Sequence, residues 1–215
     1  MSIKYRYALD EGQRVIDIED LMEADRKDYE CVACSQVLRP VMGQKRRKHF
    51  RHKVDLGCSE ETYLHRLGKF LFRQVYLQCL NSGIPFEVEL LRPKMCTCCE
   101  TWGPCRISFE PMRYDLTKGF PNISLETPDN GFIPDLLLSG KGGEKLYVEI
   151  AVTHPSTETK RDSDHRIIEL SVEDEKDLEI IKTCLLPETN ERIDFIGFNV
   201  EPEEGNYSDQ CNQWV

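Results

Sequence analysis

No stretch of this chain approaches the roughly 20 consecutive apolar residues that a membrane-spanning helix needs, and its mean hydropathy is -0.50. A helical membrane protein is therefore excluded. The first residues, Met1 to Tyr7, lack the apolar segment of a secretory signal. No internal repeat or low-complexity tract interrupts the sequence, so its 215 residues fit one medium domain with a small appendage. Ten cysteines with no export signal point to a reducing, cytoplasmic setting, where metal thiolates are favoured over disulfides. Positive charge is also in short supply, with 28 basic against 38 acidic residues. That balance excludes a protein coated in non-specific positive charge. One basic run nevertheless contains no acid: Lys45, Arg46, Arg47, Lys48, Arg51 and Lys53. Such a strip reads either as a phosphate-binding surface or as a solvated charged face.

The cysteines fall into groups. Cys31 and Cys34 form a CxxC pair, followed by an HxxH pair, His49 and His52. Two close pairs of thiolate and imidazole ligands can complete a tetrahedron around zinc, so a structural zinc site is expected, with Cys58 as an alternative ligand. Cys96, Cys98, Cys99 and Cys105 lie within ten residues. They are candidates for a second zinc site, or for a loop that uses only three of them with an outside ligand, or none.

Two acids stand out against apolar surroundings. Asp135 lies in Phe132–Leu138 and Glu149 in Leu146–Val152, and the turn Gly140–Gly143 joins the two runs as a hairpin. Mid-strand carboxylates cost desolvation energy. Two placed side by side would repel each other without a cation between them, and oxygen ligands suit Mg²⁺ or Mn²⁺. Ser59, followed by Glu60 and Glu61, predicts a helix start, and Leu64, Leu67, Leu71 and Val75 continue it on one apolar stripe to about Gly83. Glu61, His65 and Lys69 share its polar stripe. Glu61, Glu60 or Glu126 is a candidate third acid; alternatively the stripe is a solvated helix face. Lys160, Lys69 or His154 is the candidate source of positive charge or proton handling.

The remaining pattern predicts strands over 4–8, 14–18, 85–91, 167–172 and 193–200, a short helix within 156–165 and a longer one over 173–186. Residues 93–130, rich in Pro, Gly and Cys, read as an irregular insertion. The expected layout is thus α/β: an N-terminal module over 1–58 with short strands and the zinc ligands, a main domain over 59–200, and an acidic tail over 201–215.

The Pro134-Asp135 pair and Glu149 resemble the signature of the PD-(D/E)xK nuclease superfamily, with Ala151 where its lysine is expected. Further elements widen the match: Tyr29-Glu30-Cys31 with Cys34, His49 to His52, the Glu61/His65/Lys69 helix, Glu149 to His154, Lys160, and Ile167 to Leu170. In this order they resemble the competence protein CoiA-like family over residues 29–172, about two-thirds of the chain. That family joins a zinc-binding N-terminus to a restriction-endonuclease-like domain and tolerates loss of the superfamily lysine. The resemblance implies metal-binding roles for Asp135 and Glu149 and metal-dependent hydrolysis of nucleic acid, DNA first, in DNA processing or defence. It implies no membrane partner, and leaves room for a targeting protein. A non-catalytic module that binds nucleic acid or protein is the rival expectation, favoured by Ala151 and the acidic net charge.

Overall fold

The computed structural model describes residues 5–43, 47–54, 58–97 and 105–206, and the side chains of 105–107 lie outside that description. The architecture is mixed α/β, dominated by strands in three sheets. In the first sheet, β1 (Tyr7–Leu9), β2 (Val15–Asp17), β3 (Tyr29–Glu30), β4 (Val37–Val41) and β5 (His49–His52) run in the order β2-β1-β3-β4-β5. The sheet curls, because Tyr5 and Phe50 exchange both backbone hydrogen bonds, 3.2 and 2.7 Å.

Helix α1 (Glu60–Ser82) matches its sequence signals. The Ser59 hydroxyl accepts from the Thr62 N–H, and Gly83 closes the other end in the left-handed conformation. Leu64, Leu67 and Leu71 are buried and Val75 packs at the edge of the same core. The core is continuous with the first sheet: the Tyr63 hydroxyl of α1 accepts from the Tyr7 N–H at 3.2 Å and donates to Glu175 at 2.7 Å. No helix among the described residues is long and apolar enough to cross a membrane.

The region expected to be irregular is instead a long hairpin. β6 (Glu87–Cys96) pairs antiparallel with β7 (Cys105–Asp115), followed by the short helix α2 (Leu116–Gly119) and β8 (Asn122–Leu125). Pro93 and Pro111, which read as breakers, sit in a ribbon of few strands, where an N–H can be missing without breaking a ladder. β9 (Leu136–Ser139), β10 (Lys145–Ala151), α3 (Glu158–Arg161) and β11 (Arg166–Ser171) come next. After them lie α4 (Glu179–Lys182), β12 (Leu185–Pro187), β13 (Ile193–Ile196) and β14 (Glu203–Gly205). The central sheet has the order β13-β11-β10-β9-β8, with β10 and β11 parallel and its other pairs antiparallel.

Three further expectations are corrected. The strand expected at 85–91, read as the one that follows the helix in the nuclease-like core, lies outside the central sheet: as part of β6 it pairs with β7, β12 and β14, and β8 takes the edge position beside β9. The helix expected over 173–186 shrinks to α4 because Asp177 accepts from the N–H groups of Glu173 and Asp174, a local turn that competes with helix. The last strand stops at Ile196, since Gly197 turns at φ 74° where a side chain would fall 2.7 Å from the His165 carbonyl oxygen. Part of the acidic tail is also structured: β14 pairs parallel with β6, and Glu203 reaches Arg92 at 2.6 Å.

A candidate metal centre and an acidic cleft

The first site forms where β3 ends. The Ser35 N–H donates to the Cys31 carbonyl at 2.9 Å, folding Cys31 to Cys34 into a tight knuckle. Cys31, Cys34, His52 and Cys58 bring one ligand atom each within 4.8 Å of all the others. This is a set of three thiols and one imidazole that could hold a metal such as zinc. Two sulfurs on one tetrahedral zinc, each bonded at about 2.3 Å, stand about 3.8 Å apart. Cys31 and Cys58 Sγ are 3.8 Å apart, and Cys34 Sγ lies 3.2 Å from His52 Nε2.

His49 is not a member, which corrects the expected HxxH pair. Both histidines lie on β5, and residues three apart on a strand point to opposite faces. His52 turns to the cysteines, while His49 Nδ1 meets the Arg47 carbonyl at 3.0 Å. Cys58, the alternative, takes its place. Burial above all pushes the Cys31 thiol up to about 12, with Cys58 adding to the shift. A bound cation is what would make the thiolate form favourable there. The Tyr5 and His52 rings pack nearly perpendicular with centroids 5.3 Å apart, and Arg66 of α1 donates to the Ala33 carbonyl inside the knuckle at 2.6 Å.

Of the second cysteine group, Cys98 and Cys99 lie outside the described residues, as does the side chain of Cys105. The backbone register places Cys96 opposite Cys105 across the β6/β7 hairpin.

The second site sits where β9 starts late. β9 pairs with β10 only as far as Leu136 and Val148, so β10 runs on past its neighbour with an open edge. Asp135 fills the gap from just before β9: its Oδ2 accepts from the Ile150 N–H at 2.9 Å. The N–H and C=O of a strand residue leave on the same edge, so the Ile150 carbonyl faces this gap too. α1 lies close against β10 because Gly68 leaves room, a Cβ there falling 2.7 Å from Ile150 Cγ2. The flanking residues His65 and Lys69 thereby reach Asp135, at 3.0 and 3.5 Å. Asp135, Glu149, His65, Lys160 and His154 border one cleft of about 490 Å³.

Both acids already have cationic partners, so the expected uncompensated repulsion is not what this fold contains. Burial would raise the Asp135 carboxyl, but hydrogen bonds from His65 and the Ile150 N–H, with the charges of His65 and Lys69, hold it below the ordinary range. Glu149 goes the other way. Burial, the largest cause, and the charge of Asp135 push it up to about 7 against the pull of Lys160. Lys160 Nζ lies 2.6 Å from Glu149 Oε1, so this buried oxygen is compensated by an ion pair within the chain.

Of the candidate third acids, Glu126 lies beside Asp135: its N–H donates to the Asp135 carbonyl at 3.1 Å, and its carboxylate pairs at 2.5 Å with Lys69, which stands 3.5 Å from Asp135 Oδ1. Glu61 accepts from the Thr153 hydroxyl on the neighbouring rim, and Glu60 is exposed. Among the described residues, no third acid or histidine joins Asp135 and Glu149 as tightly as the cysteine cluster is joined.

Several positioning residues escaped the sequence reading. Glu169 on β11 is 1% exposed and accepts from the Ser156 N–H and from Arg161, both at 2.6 Å, fastening the segment that carries Lys160. Glu169, like Glu149, is an acid inside an apolar strand. Asp129 accepts from Lys145 and from the Tyr147 hydroxyl, which ties down the loop leading to Asp135.

Of the basic run, Lys45 and Arg46 lie outside the described residues. Lys48 donates to the Leu21 carbonyl at 3.1 Å and Lys53 pairs with Asp28 at 2.5 Å. Arg47 and Arg51 are exposed, and neither has a carboxylate partner among the described residues. Compared with family models, with curated proteins and with solved structures, the chain matches none.

Proposed function

We propose that this chain is a metal-dependent nuclease with a restriction-endonuclease-like core, in keeping with its resemblance to the CoiA-like family. The observation that carries this reading is the shared cleft of Asp135 and Glu149 at the open edge of β10, with Lys160, His65 and Lys69 around them. The order α1, β8, β9, β10, α3, β11 supports it, being the helix, three strands, helix and strand of that core. Mg²⁺ or Mn²⁺ fits the donor chemistry in one respect: two carboxylates, Asp135 and Glu149, border the same cleft as oxygen donors, although Glu149 already pairs with Lys160. Asp135, Glu149 and the Ile150 carbonyl are the groups that would hold the ion. When bound, it supplies Lewis-acid polarisation of a phosphate and a more acidic water. Lys69 and Lys160 place positive charge where a phosphodiester gathers negative charge during hydrolysis. His65, through its Nε2–H on Asp135 Oδ2, fixes the orientation of that carboxylate.

The test is incubation of purified protein with plasmid, linear duplex, single-stranded DNA and RNA in Mg²⁺, Mn²⁺ or EDTA. Cleavage in metal but not in EDTA supports the reading. No cleavage of any substrate favours the second reading, a non-catalytic binding module. Ala151 in place of the superfamily lysine supports that alternative, as do Lys69 and Lys160, which already stand beside Asp135 and Glu149.

On the nuclease reading nucleic acid is the partner, and on the second it is nucleic acid or a protein; for nucleic acid, Arg47 and Arg51 are available to touch its backbone. The double variant Arg47→Ala/Arg51→Ala should weaken binding about equally for all sequences. The slope of log affinity against log salt should flatten by about 0.7–0.9 for each phosphate that is no longer neutralised. His49, which bonds the Arg47 backbone, is unaffected by the change. A titration at several salt concentrations checks this, and an unchanged slope would make the arginines a solvated face.

A further inference from the structure

Away from both sites, the last turns of α1 and the residue before β12 bring two thiols together. The Cys79 thiol donates to Cys184 Sγ at 3.4 Å, across 105 positions of sequence. Neither belongs to the metal cluster or to the acidic cleft. Cys79 is 2% exposed and Cys184 is half-buried. Both border a cavity of about 320 Å³ whose lining includes the half-exposed Ile84. Cys184 adopts φ 57°, a left-handed conformation that Gly or Asn takes at less cost. That turn directs a cysteine at another cysteine, where other residues would sit with less strain.

We propose that Cys79 and Cys184 are an oxidisable dithiol whose closure to a disulfide latches the C-terminal end of α1 to β12. A disulfide bond is about 2.05 Å long, so from 3.4 Å each sulfur has to move by roughly 0.7 Å. The oxidant is a low-molecular-weight disulfide, and the chemistry is thiol–disulfide exchange. Cys184, reached from the cavity, loses its proton to solvent and attacks one sulfur of the small disulfide. The first small thiolate leaves and takes up a proton. Cys79 then gives its proton to solvent, attacks the Cys184 sulfur and expels the second small thiolate, which takes up a proton. Two protein thiols are oxidised and one small disulfide is reduced to two thiols. The order of attack follows from access. Burial pushes the Cys79 thiol up to about 12, which makes it the resolving partner.

The latch bears on α1, the helix that carries His65 and Lys69, and on β12, which pairs with the start of β6. The two ends lie far apart in sequence, so closure restricts the unfolded chain strongly.

The test uses the full chain loaded with zinc, which protects Cys31, Cys34 and Cys58, in graded mixtures of reduced and oxidised glutathione. Acid quenching, alkylation and peptide mapping identify the linkage, and thermal melting reads its effect. The expected result is a peptide pair joined through Cys79 and Cys184, with a melting midpoint several degrees higher that returns on reduction. Cys184→Ser should melt like the reduced wild type and show no shift in the oxidising buffer. Recovery of both cysteines as free thiols in the most oxidising mixture overturns the proposal. So does Cys184 trapped only as a mixed disulfide with glutathione, or a Cys79–Cys184 bond that leaves the melting midpoint unmoved.

Discussion

Replacing Cys58 with serine is expected to strip the metal from the N-terminal site and loosen the first sheet, whereas His49→Gln leaves both intact. The contrast rests on geometry. Cys58 Sγ stands 3.8 Å from Cys31 Sγ, while His49 faces the Arg47 carbonyl on the other side of β5. Loss of an outer-shell partner costs about 10–100-fold in metal affinity, and loss of a ligand should exceed that. In small zinc modules the metal contributes roughly 10–16 kcal/mol to folding. Here the loss should be smaller, because Tyr7, Leu9 and Phe50 share a core with α1 and hold part of the sheet without metal. The perturbation should still reach α1, since Cys58 directly precedes its cap residue and Arg66 bonds the knuckle. Elemental analysis of protein purified without added metal should find zinc in the wild type and in His49→Gln, and little in Cys58→Ser or His52→Gln. Zinc lost from His49→Gln but kept in Cys58→Ser would reverse the ligand assignment.

The difference between His49 and Cys58 shows how far this sequence could be read. Motif spacing finds a metal site but does not say which face a ligand points to. The HxxH pair suits a helix or a tight turn, and here it falls on a strand of alternating faces. α1 was legible from end to end, because its cap, its apolar stripe and its terminal glycine are all local signals. The β9/β10 hairpin was legible for the same reason. The β6/β7 ribbon was not, since its stability comes from pairing residues as distant as Glu87 and Asp115, and its prolines sit where breakers are tolerated. The acids of the cleft could be found as charges in apolar runs. His65, Lys69 and Lys160 were legible only as candidates: which cation reaches which acid depends on contacts across the fold, His65 lying 70 residues before Asp135 and Lys160 in a separate helix after Glu149. Only the fold reveals that Asp135 and Glu149 are compensated by the chain itself.

That compensation decides the sign of the last prediction. Asp135→Asn should abolish metal-dependent cleavage, because it removes the one fully charged carboxylate of the pair. If the two acids merely repelled each other, the same change would raise thermal stability in EDTA. The structure predicts a fall. Asp135 accepts from His65 at 3.0 Å and from the Ile150 N–H at 2.9 Å, with Lys69 3.5 Å from its other oxygen. An asparagine keeps one acceptor but turns a second donor toward this cluster of donors. A hydrogen bond to a charged group contributes about 1.5–3 kcal/mol, so the expected loss is of that order. Relief of the repulsion felt by Glu149 offsets part of it, but Glu149 retains Lys160 as its near partner. The pH dependence follows from the lowered carboxyl of Asp135. Its contribution is fully present above the unfolded value of about 3.9 and is lost as pH falls through the lower folded value. The gap in melting midpoint between wild type and Asp135→Asn should therefore be widest near neutral pH and close on acidification. Melting both proteins in EDTA from pH 7 down to pH 3, beside the cleavage assay, tests the two halves separately. A variant that melts higher than wild type at pH 7 would show that repulsion outweighs the His65 and Lys69 contacts. A variant that melts lower yet still cuts DNA in Mg²⁺ would remove Asp135 from the catalytic site.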